Sequence, residues 1–278
     1  MTRKISTTAC RFVAAVSLLT LCLLPTFISV SIGQDTNTRK AGDNLELTTE
    51  GIKYTFHWCP AGEFMMGSPK GEANRNDDNE TQHQVTLTRG FWILETAVTQ
   101  EMWESVMGKN PSKFKGEKFP AETVSWRDCQ EFVGGLNDLK VAPTGFKFAL
   151  PTEAQWEYAC RAGTTTAFYF GGALNARNAN FEGKTTTEVG SFPANAWGVR
   201  DMHGNVWEWC LDGYSGDYAS GAVTDPLGVS PNQSRYAVRG GSYYDQSWFS
   251  RSASREYYSP TRRENHIGFR LALISSEE

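Results

Sequence analysis

The sequence predicts a mixed domain in which short strands and about three short helices are joined by long irregular connections. The chain has 278 residues, among them 9 Trp and 26 Gly. This composition favours loops held in place by large aromatic side chains over long regular elements. From Tyr54 onward no low-complexity segment and no internal repeat interrupts the chain. Residues 54–275 are therefore expected to fold around a single core.

The strand predictions depend on alternation of apolar and polar residues beside turn signals. The segment YTFHWCPAGEFMM alternates and is followed by Gly67-Ser68-Pro69, which indicates a strand and a turn. The segment HQVTLTRGFWILETAV is typical of two strands on either side of Arg89-Gly90. Between them, KGEANRNDDNETQ is interpreted as a solvated acidic loop, because its carboxylates lack the full ligand spacing of a calcium loop.

Three helices are marked by residues that cap a helix N-terminus. Thr99 precedes apolar residues at helical spacing, and Ser125 with Asp128 three positions later begins a second helix. Thr152 and Gln155 have the spacing of a capping box at the start of the third. After this helix we expect only loops and short strands. Long irregular structure usually needs added restraint from disulfides, metal or function.

The first 33 residues have the features of a secretory leader. A basic region precedes the apolar run FVAAVSLLTLCLLPTFISV, and Ser31 and Gly33 stand at the small positions before a cleavage site. Since this run approaches the length that spans a bilayer, an uncleaved membrane anchor is the alternative. We expect a signal peptide at 1–33 and a polar linker at 34–53. The domain is then periplasmic or extracellular, and touches a membrane only if the leader is retained.

The net charge restricts the class of partner. The formal charge of the chain is −4 at pH 7, and the leader contributes several of its positive charges. No basic stripe that could follow a phosphate backbone is present, so nucleic acid is excluded as a partner.

The four cysteines outside the leader leave two interpretations open. In an oxidising compartment Cys59, Cys129, Cys160 and Cys210 could form two disulfides in any of three pairings. Burial as unpaired thiols is an equally weighted alternative. No two of them have CxxC spacing, which argues against zinc or thioredoxin chemistry.

Six motifs identify a family resemblance. They are AGEFMMGS, VTQEMWESVMG, LPTEAQWEYACRAGT, GVRDMHGNVWEWC, VRGGSYYD and IGFRLAL. Their order resembles that in the formylglycine-generating enzymes, or sulfatase-modifying factors, from about Phe56 to Leu273. The resemblance implies a single irregular α+β domain related to the C-type lectin fold and braced by calcium. It also implies an oxidase that converts a sulfatase cysteine to formylglycine, using oxygen and a copper ion held by two cysteines.

Both copper-binding cysteines implied by the resemblance are absent from this sequence. Counted from Gly240-Gly241-Ser242, their positions are taken by Asp245 and Ser250. Cu(I) prefers thiolate and thioether ligands, whereas carboxylate and hydroxyl are hard oxygen donors. Neither residue can form a disulfide with a substrate. Copper is therefore not an expected cofactor, and we predict a pseudoenzyme without the oxidase activity.

Other residues offer weaker routes to catalysis. Cys160 matches a structural cysteine of the family, whose partner position is Leu271 here, and Cys210 alone does not make a two-coordinate copper site. Ser250 as a hydrolytic nucleophile would need a base, and no histidine stands in a recognisable setting for one. The alternative function is an oxidase with another ligand set, or another enzyme built on the same groove.

The segment DMHGNVWEW carries the most specific remaining chemistry. The resemblance implies four calcium ligands here, namely the carboxylates of Asp201 and Glu208 and the carbonyls of Gly204 and Val206. A hard divalent cation prefers such oxygen donors. Alternatively, Asp201 caps a turn and Glu208 pairs with an arginine. A second family calcium site is matched only in part, by Asn180 and the Phe181 carbonyl, and we expect it to be degraded.

A predicted ligand groove follows the Arg-Gly-Gly-Ser motif. It is rich in aromatic residues and arginine, the types that concentrate binding energy at interfaces. Its lining is expected to include Ser242, Tyr243, Tyr244, Trp248, Phe249, Arg251 and Arg255. Core packing is the alternative for Trp248 and Phe249. The sequence thus predicts a monomeric, calcium-braced binding or accessory module whose partner is a peptide, a protein or a small molecule.

Overall fold

The computed structural model describes residues 39–218, 220–228 and 233–277. In chain order the elements of this part are β1 (Asn44–Thr49), β2 (Ile52–Cys59), β3 (Gly62–Met66), β4 (His83–Leu87), β5 (Phe91–Leu94), α1 (Gln100–Met107), α2 (Trp126–Asp138), β6 (Phe146–Ala149), α3 (Glu153–Arg161), β7 (Trp207–Gly213), β8 (Val223–Thr224), β9 (Tyr236–Arg239), a 3-10 helix (Ser247–Ser250), β10 (Arg255–Tyr258), β11 (Ile267–Phe269) and β12 (Ala272–Ser275). The predicted α+β fold class with three helices and short strands is confirmed.

The strands of the described residues form three sheets. The largest has the order β1-β2-β5-β12-β6 and is antiparallel throughout, so the last strand of the chain lies between β5 and β6. The second has the order β10-β9-β7-β11, with β7 and β11 parallel. The third contains β3, β4 and β8. Strands distant in sequence therefore complete each sheet, and the fold depends on long-range pairing.

The N-terminal region holds one difference from the sequence interpretation. The predicted signal peptide 1–33 lies outside the described residues. The expected linker 34–53, however, contains β1, which pairs with β2 at the edge of the largest sheet. Leu45 and Leu47 are buried while their neighbours are polar. Two alternating leucines are too short a pattern to distinguish from a polar linker. No helix in the described part of the chain is long and apolar enough to cross a membrane.

The predicted helix caps are confirmed. The Thr99 side chain accepts a hydrogen bond from the backbone N–H of Met102. Capping boxes are complete at the start of α2 and of α3. These caps satisfy N–H groups that have no partner within the helix, which is why they could be recognised from local sequence.

The four cysteines of the described residues are buried free thiols. Cys129 belongs to the core that packs α1 and α2 against the largest sheet, whereas the others belong to a second core around Trp156. The alternative of unpaired packing thiols is therefore the one observed.

A cluster of buried ion pairs joins α3 to the second sheet. Arg239, at 0 % exposure, donates to Glu153 Oε1 at 2.8 Å and to Glu157 Oε2 at 2.5 Å. Arg255 donates to both oxygens of Glu153, at 2.6 and 2.8 Å, and Arg161 donates to Glu157 at 2.8 Å. Burial alone would raise the pKa of Glu153, but Arg255 and Arg239 outweigh it and hold that pKa at about 2. The carboxylates therefore stay charged in the core.

Replacement of Arg239 tests this cluster. Arg239→Leu leaves Glu153 and Glu157 buried with one arginine each, so we expect a loss of about 3–5 kcal/mol in the free energy of unfolding. Arg263→Ala is the control, because Arg263 pairs with Asp128 at the surface and should cost about 0–1 kcal/mol. Urea unfolding measures both. A similar loss in the two variants would contradict a bracing role for Arg239.

Candidate functional site

The loop that carries Asp245 and Ser250 begins at a tight turn after β9. Gly241 has a φ of 72° in this turn, and a Cβ at this position would lie 2.4 Å from Ser250 Oγ. Glycine therefore lets the start of the loop pack directly on the 3-10 helix at its end. This close approach leaves Ser250 at 0 % exposure, whereas Asp245 is half-buried.

The carboxylate of Asp245 is held by two hydrogen bonds. Its Oδ2 accepts from the indole Nε1 of Trp207 at 2.8 Å and from Ser242 Oγ at 2.5 Å. The Asp245 carbonyl also accepts from the backbone N–H of Glu182 at 3.0 Å. These contacts tie the loop to the start of β7 and to the segment near Asn180. Asp245 thus has an oriented carboxylate with one oxygen used within the protein.

Ser250 lacks the setting of a nucleophile. Its hydroxyl is buried and has no hydrogen-bond partner among the described residues. His203 is close, but its Nδ1 donates to the Ser250 carbonyl at 2.7 Å, and its Nε2 accepts from the Tyr169 N–H at 3.2 Å. Burial lowers the pKa of His203 to about 3, so the ring is neutral with both nitrogens engaged. No general base is therefore positioned on the serine hydroxyl.

The two carboxylates in the DMHGNVWEW segment differ in how many of their oxygens accept hydrogen bonds. Asp201 Oδ2 accepts from the Gly190 N–H at 2.5 Å, but its buried Oδ1 has no partner among the described residues. Glu208 Oε2 accepts from Arg270 and from the Trp156 indole, both at 2.6 Å, while Oε1 accepts from Arg270 at 2.8 Å. Glu208 therefore pairs with an arginine, and Asp201 retains an unsatisfied oxygen.

The residues of the second predicted calcium site lie beside the first. A Cβ at Gly204 would lie 2.3 Å from the Asn180 carbonyl, so glycine allows the two segments to meet. Asn180 Nδ2 donates to the Thr185 carbonyl at 3.0 Å and to Asn205 Oδ1 at 3.2 Å. Phe181, whose carbonyl is the other predicted ligand, is the next residue and is half-buried. Among the described residues, no group of three or more His, Cys, Asp or Glu side chains is arranged to hold a metal ion, so a metal here would depend on backbone carbonyls.

The residues of the predicted groove fall into two groups. Tyr243 packs on Phe114 with ring centroids 5.4 Å apart, and Tyr244, 47 % exposed, meets the His266 ring at 4.8 Å. These two tyrosines lie on the Asp245 side, with Ser242 buried beneath. His266 was not recognised from sequence, and its place directly before the IGFR motif is the one local signal.

The second group lies around Trp248. This side chain and Arg251 border two cavities of about 540 and 290 Å³. Arg251 pairs with Glu80 at 2.7 Å and Glu72 at 2.8 Å, and Phe249 and Arg255 line the smaller cavity. Both arginines are thus buried side chains at the wall of the smaller cavity. Glu80, expected in a solvated loop, is buried because it pairs with Arg251.

Comparison with known proteins decides the family. The family model described as a sulfatase-modifying factor enzyme 1-like domain matches residues 50–274. This chain belongs to the sulfatase-modifying-factor family. The formylglycine-generating enzyme of Streptomyces coelicolor is 28 % identical in an alignment 275 positions long. The alignment covers 77 % of this chain and 87 % of that enzyme.

A second relative combines this domain with other sequence. The serine/threonine-protein kinase pkn1 of Chlamydia caviae is 40 % identical in an alignment 240 positions long. The alignment covers 76 % of this chain but 36 % of the kinase. The present chain therefore spans about a third of the length of that relative.

Two solved structures share the fold. Treponema denticola variable protein 1 matches with a TM-score of 0.72 and 26 % identity, over 82 % of this chain and 98 % of that one. PvdO from Pseudomonas aeruginosa matches with a TM-score of 0.70 and 28 % identity, over 84 % and 99 %. Each likeness extends over nearly the whole of the solved chain.

Burial raises the pKa of two thiols near α3 in the described part of the chain. Burial raises the pKa of Cys160 to about 12, although Ser252 opposes the shift. Burial, together with Glu153 and Asp212, also raises the pKa of Cys210 well above its ordinary value. The thiolate is the form that binds metal and acts as a nucleophile, and burial disfavours this form at both positions.

A buried carboxyl outside the site should make stability depend on pH. Asp212 accepts from the N–H of Glu153 at 2.7 Å and from that of Gly228 at 2.9 Å. Burial, followed by repulsion from Glu153, raises its pKa to about 7. Because the folded pKa exceeds the unfolded one, this group stabilises the fold at low pH, and the contribution is lost as pH rises towards 7.

The variant Asp212→Asn isolates this contribution. Relative to the variant, the wild-type protein should lose up to about 1.4 kcal/mol of stability per pH unit between about pH 4 and 7. Thermal or urea unfolding of both proteins in matched buffers measures the difference. Parallel pH profiles would show that Asp212 is not protonated in the folded protein.

Proposed function

We propose that this protein is a non-oxidase member of the sulfatase-modifying-factor family that acts as an exported binding or accessory module. The observation that carries the proposal is the state of Asp245 and Ser250. One carboxylate oxygen is used by Trp207 and Ser242, and the serine hydroxyl is buried beneath Gly241. Both residues therefore serve the packing of the loop.

Ligand chemistry supports the absence of copper oxidation. Asp245 and Ser250 offer hard oxygen donors, which Cu(I) binds poorly compared with thiolates. A serine hydroxyl does not ionise at modest cost. The Cys160 sulfur lies 3.6 Å from Ser252 Oγ in a fully buried position. A sulfatase-type cysteine substrate would find no thiol here with which to exchange.

Binding is proposed on the surface around the loop. Tyr244 is half-exposed, and its ring together with the Asp245 carboxylate offers apolar and charged contacts side by side. Trp248 adds a second aromatic side chain at the edge of two cavities. Aromatic residues supply large contact areas at low entropic cost. A peptide, a protein or a small molecule could bind here, with the protein acting as a monomer.

Calcium is proposed to brace the segment beneath this surface. The buried Oδ1 of Asp201 has no partner among the described residues, and an unsatisfied buried carboxylate oxygen is costly. Glu208 Oε1 accepts one hydrogen bond, which leaves it a position for a second contact. These donors fit a hard cation, with the Gly204 and Val206 carbonyls as further ligands. Calcium would supply positive charge where the carboxylates are desolvated.

The calcium proposal is tested by stability. Added calcium should stabilise the wild-type protein by about 2.7 kcal/mol at a hundredfold excess over its Kd. Asp201→Asn keeps an acceptor for the Gly190 N–H but removes the charge, and should not respond to calcium. Asp138→Asn, on the exposed end of α2, is the matched control and should respond as the wild type does. Equal responses in all three proteins would overturn the assignment.

An oxidase assay tests the main proposal. The purified domain, supplied with copper and a sulfatase-motif peptide, should leave the peptide cysteine unchanged in mass spectrometry and should bind no stoichiometric copper. The double variant Asp245→Cys, Ser250→Cys is the positive comparison, since it restores two soft ligands, and should take up copper. Formylglycine formation by the wild-type protein would overturn the proposal.

A further inference from the structure

The larger of the two cavities beside Trp248 is bounded by two loops and by the end of the Asp245 loop. Its volume is about 540 Å³, within the range of small-molecule sites. One wall comes from residues between positions 69 and 74, and a second comes from residues between positions 165 and 174. Ser247, Trp248 and Arg251 form the third. Trp248 also borders the smaller cavity, so this residue lies between the two.

Both loop walls are attached to the segment that follows the 3-10 helix. The Ser252 N–H donates to the Ala167 carbonyl at 2.7 Å, and the adjacent Phe168 side chain is buried. On the facing wall, Glu72 accepts from Arg251 at 2.8 Å. The cavity is therefore a product of the folded structure, because contacts between distant segments hold its walls in place.

The charges of the lining cancel. Among the described residues of the lining, the charged ones are Glu72 and Arg251, which pair with each other. Arg251 also pairs with the buried Glu80 at 2.7 Å. An ionic ligand would have to break into these pairs to gain a charged contact, which is costly when one partner stays buried. The lining therefore favours an uncharged ligand.

Three uncharged polar side chains of the lining remain available to a ligand. Asn74 and Thr165 are exposed at the cavity and Ser247 is half-buried there. Their side chains make no hydrogen bond with the part of the chain that the structure describes. A hydroxyl group both donates and accepts, and an amide offers donors on one atom and an acceptor on the other. These groups match a ligand that carries several hydroxyl groups.

Trp248 adds a flat apolar surface to these polar groups. Its side chain is half-buried, with its ring centroid 6.1 Å from that of Phe249. A pyranose ring whose hydroxyl groups are all equatorial has C–H bonds on both faces, and these pack on the electron-rich face of an indole. Its hydroxyl groups then point outward from the edge of the ring, towards polar side chains. An aromatic surface beside uncharged polar groups therefore suits a sugar ring.

We propose that this cavity binds a neutral saccharide, with an all-equatorial pyranose ring against Trp248 and its hydroxyl groups at Asn74, Thr165 and Ser247. The inference rests on the binding role proposed above and names the ligand class for one part of that surface. It requires no thiol, no metal and no covalent step.

Calorimetric titration of the purified protein tests the ligand class. Cellobiose and N,N′-diacetylchitobiose are neutral, β-linked disaccharides with all-equatorial rings, and at least one should bind with a Kd of about 1 mM or tighter. Sorbitol carries hydroxyl groups without a ring face and should not bind. Failure of both disaccharides to bind, or equal binding of sorbitol, would overturn the proposal.

Two pairs of variants locate the saccharide. Trp248→Ala removes the aromatic surface and should weaken binding by about tenfold or more. Trp197→Ala is its control, because Trp197 is also half-buried but packs on Tyr158 outside the lining. Ala173→Trp fills the cavity from an exposed wall without altering Trp248 and should weaken binding as strongly, whereas Ala196→Trp, at an exposed position outside the lining, should not. Equal effects of the site variants and their controls would show that the saccharide binds elsewhere.

The oxidase assay separates a failure of this inference from a failure of the proposed function. A protein that binds neither disaccharide and leaves the sulfatase-motif peptide unchanged would contradict the saccharide site alone. Formylglycine formation would contradict the non-oxidase role, whatever the titrations show.

Discussion

Arg239 occupies the position on which the second sheet and the third helix both depend. Its guanidinium is fully buried between Glu153 and Glu157, and Arg255 and Arg161 complete the same cluster. Removing such charges from water is costly, so the cluster is stable only when every member has its partner. The requirement ties α3 to β9 and β10, and the Asp245 loop leaves β9 directly after Arg239. The loop of the candidate site therefore begins at a strand that the buried ion pairs hold in place.

The interactions that hold the fold together are independent of the residues at positions 245 and 250. The ion pairs, the helix caps and the turn at Gly241 do not involve a thiol, so aspartate and serine can replace the two cysteines without loss of the fold. Asp245 accepts hydrogen bonds from Trp207 and Ser242, and Ser250 packs closely against Gly241. The two oxygen side chains alter which ligands the loop can hold, while the backbone that presents them keeps the family architecture. Membership of the family therefore describes the scaffold of this chain.

Ion pairs within the protein also determine which side chains of the loop remain available for binding. Arg251 and Arg255 belong to the interior because carboxylates neutralise them there. Tyr244 remains exposed at the surface of the loop, and Trp248 is half-buried.

Local sequence by itself determined the helix starts, the turn after β3 and the order of the family motifs, because caps and turns are satisfied within a few residues. It also led to the prediction that the copper ligands implied by the family resemblance are replaced by Asp245 and Ser250, since that prediction needs only a count of positions from Gly240-Gly241-Ser242. Tertiary structure alone decided that β1 joins the largest sheet and that Glu80 is buried by Arg251. It also decided that Cys59, Cys129, Cys160 and Cys210 are buried as free thiols. Each of these depends on contacts between residues far apart in the chain, whose energies no local pattern records.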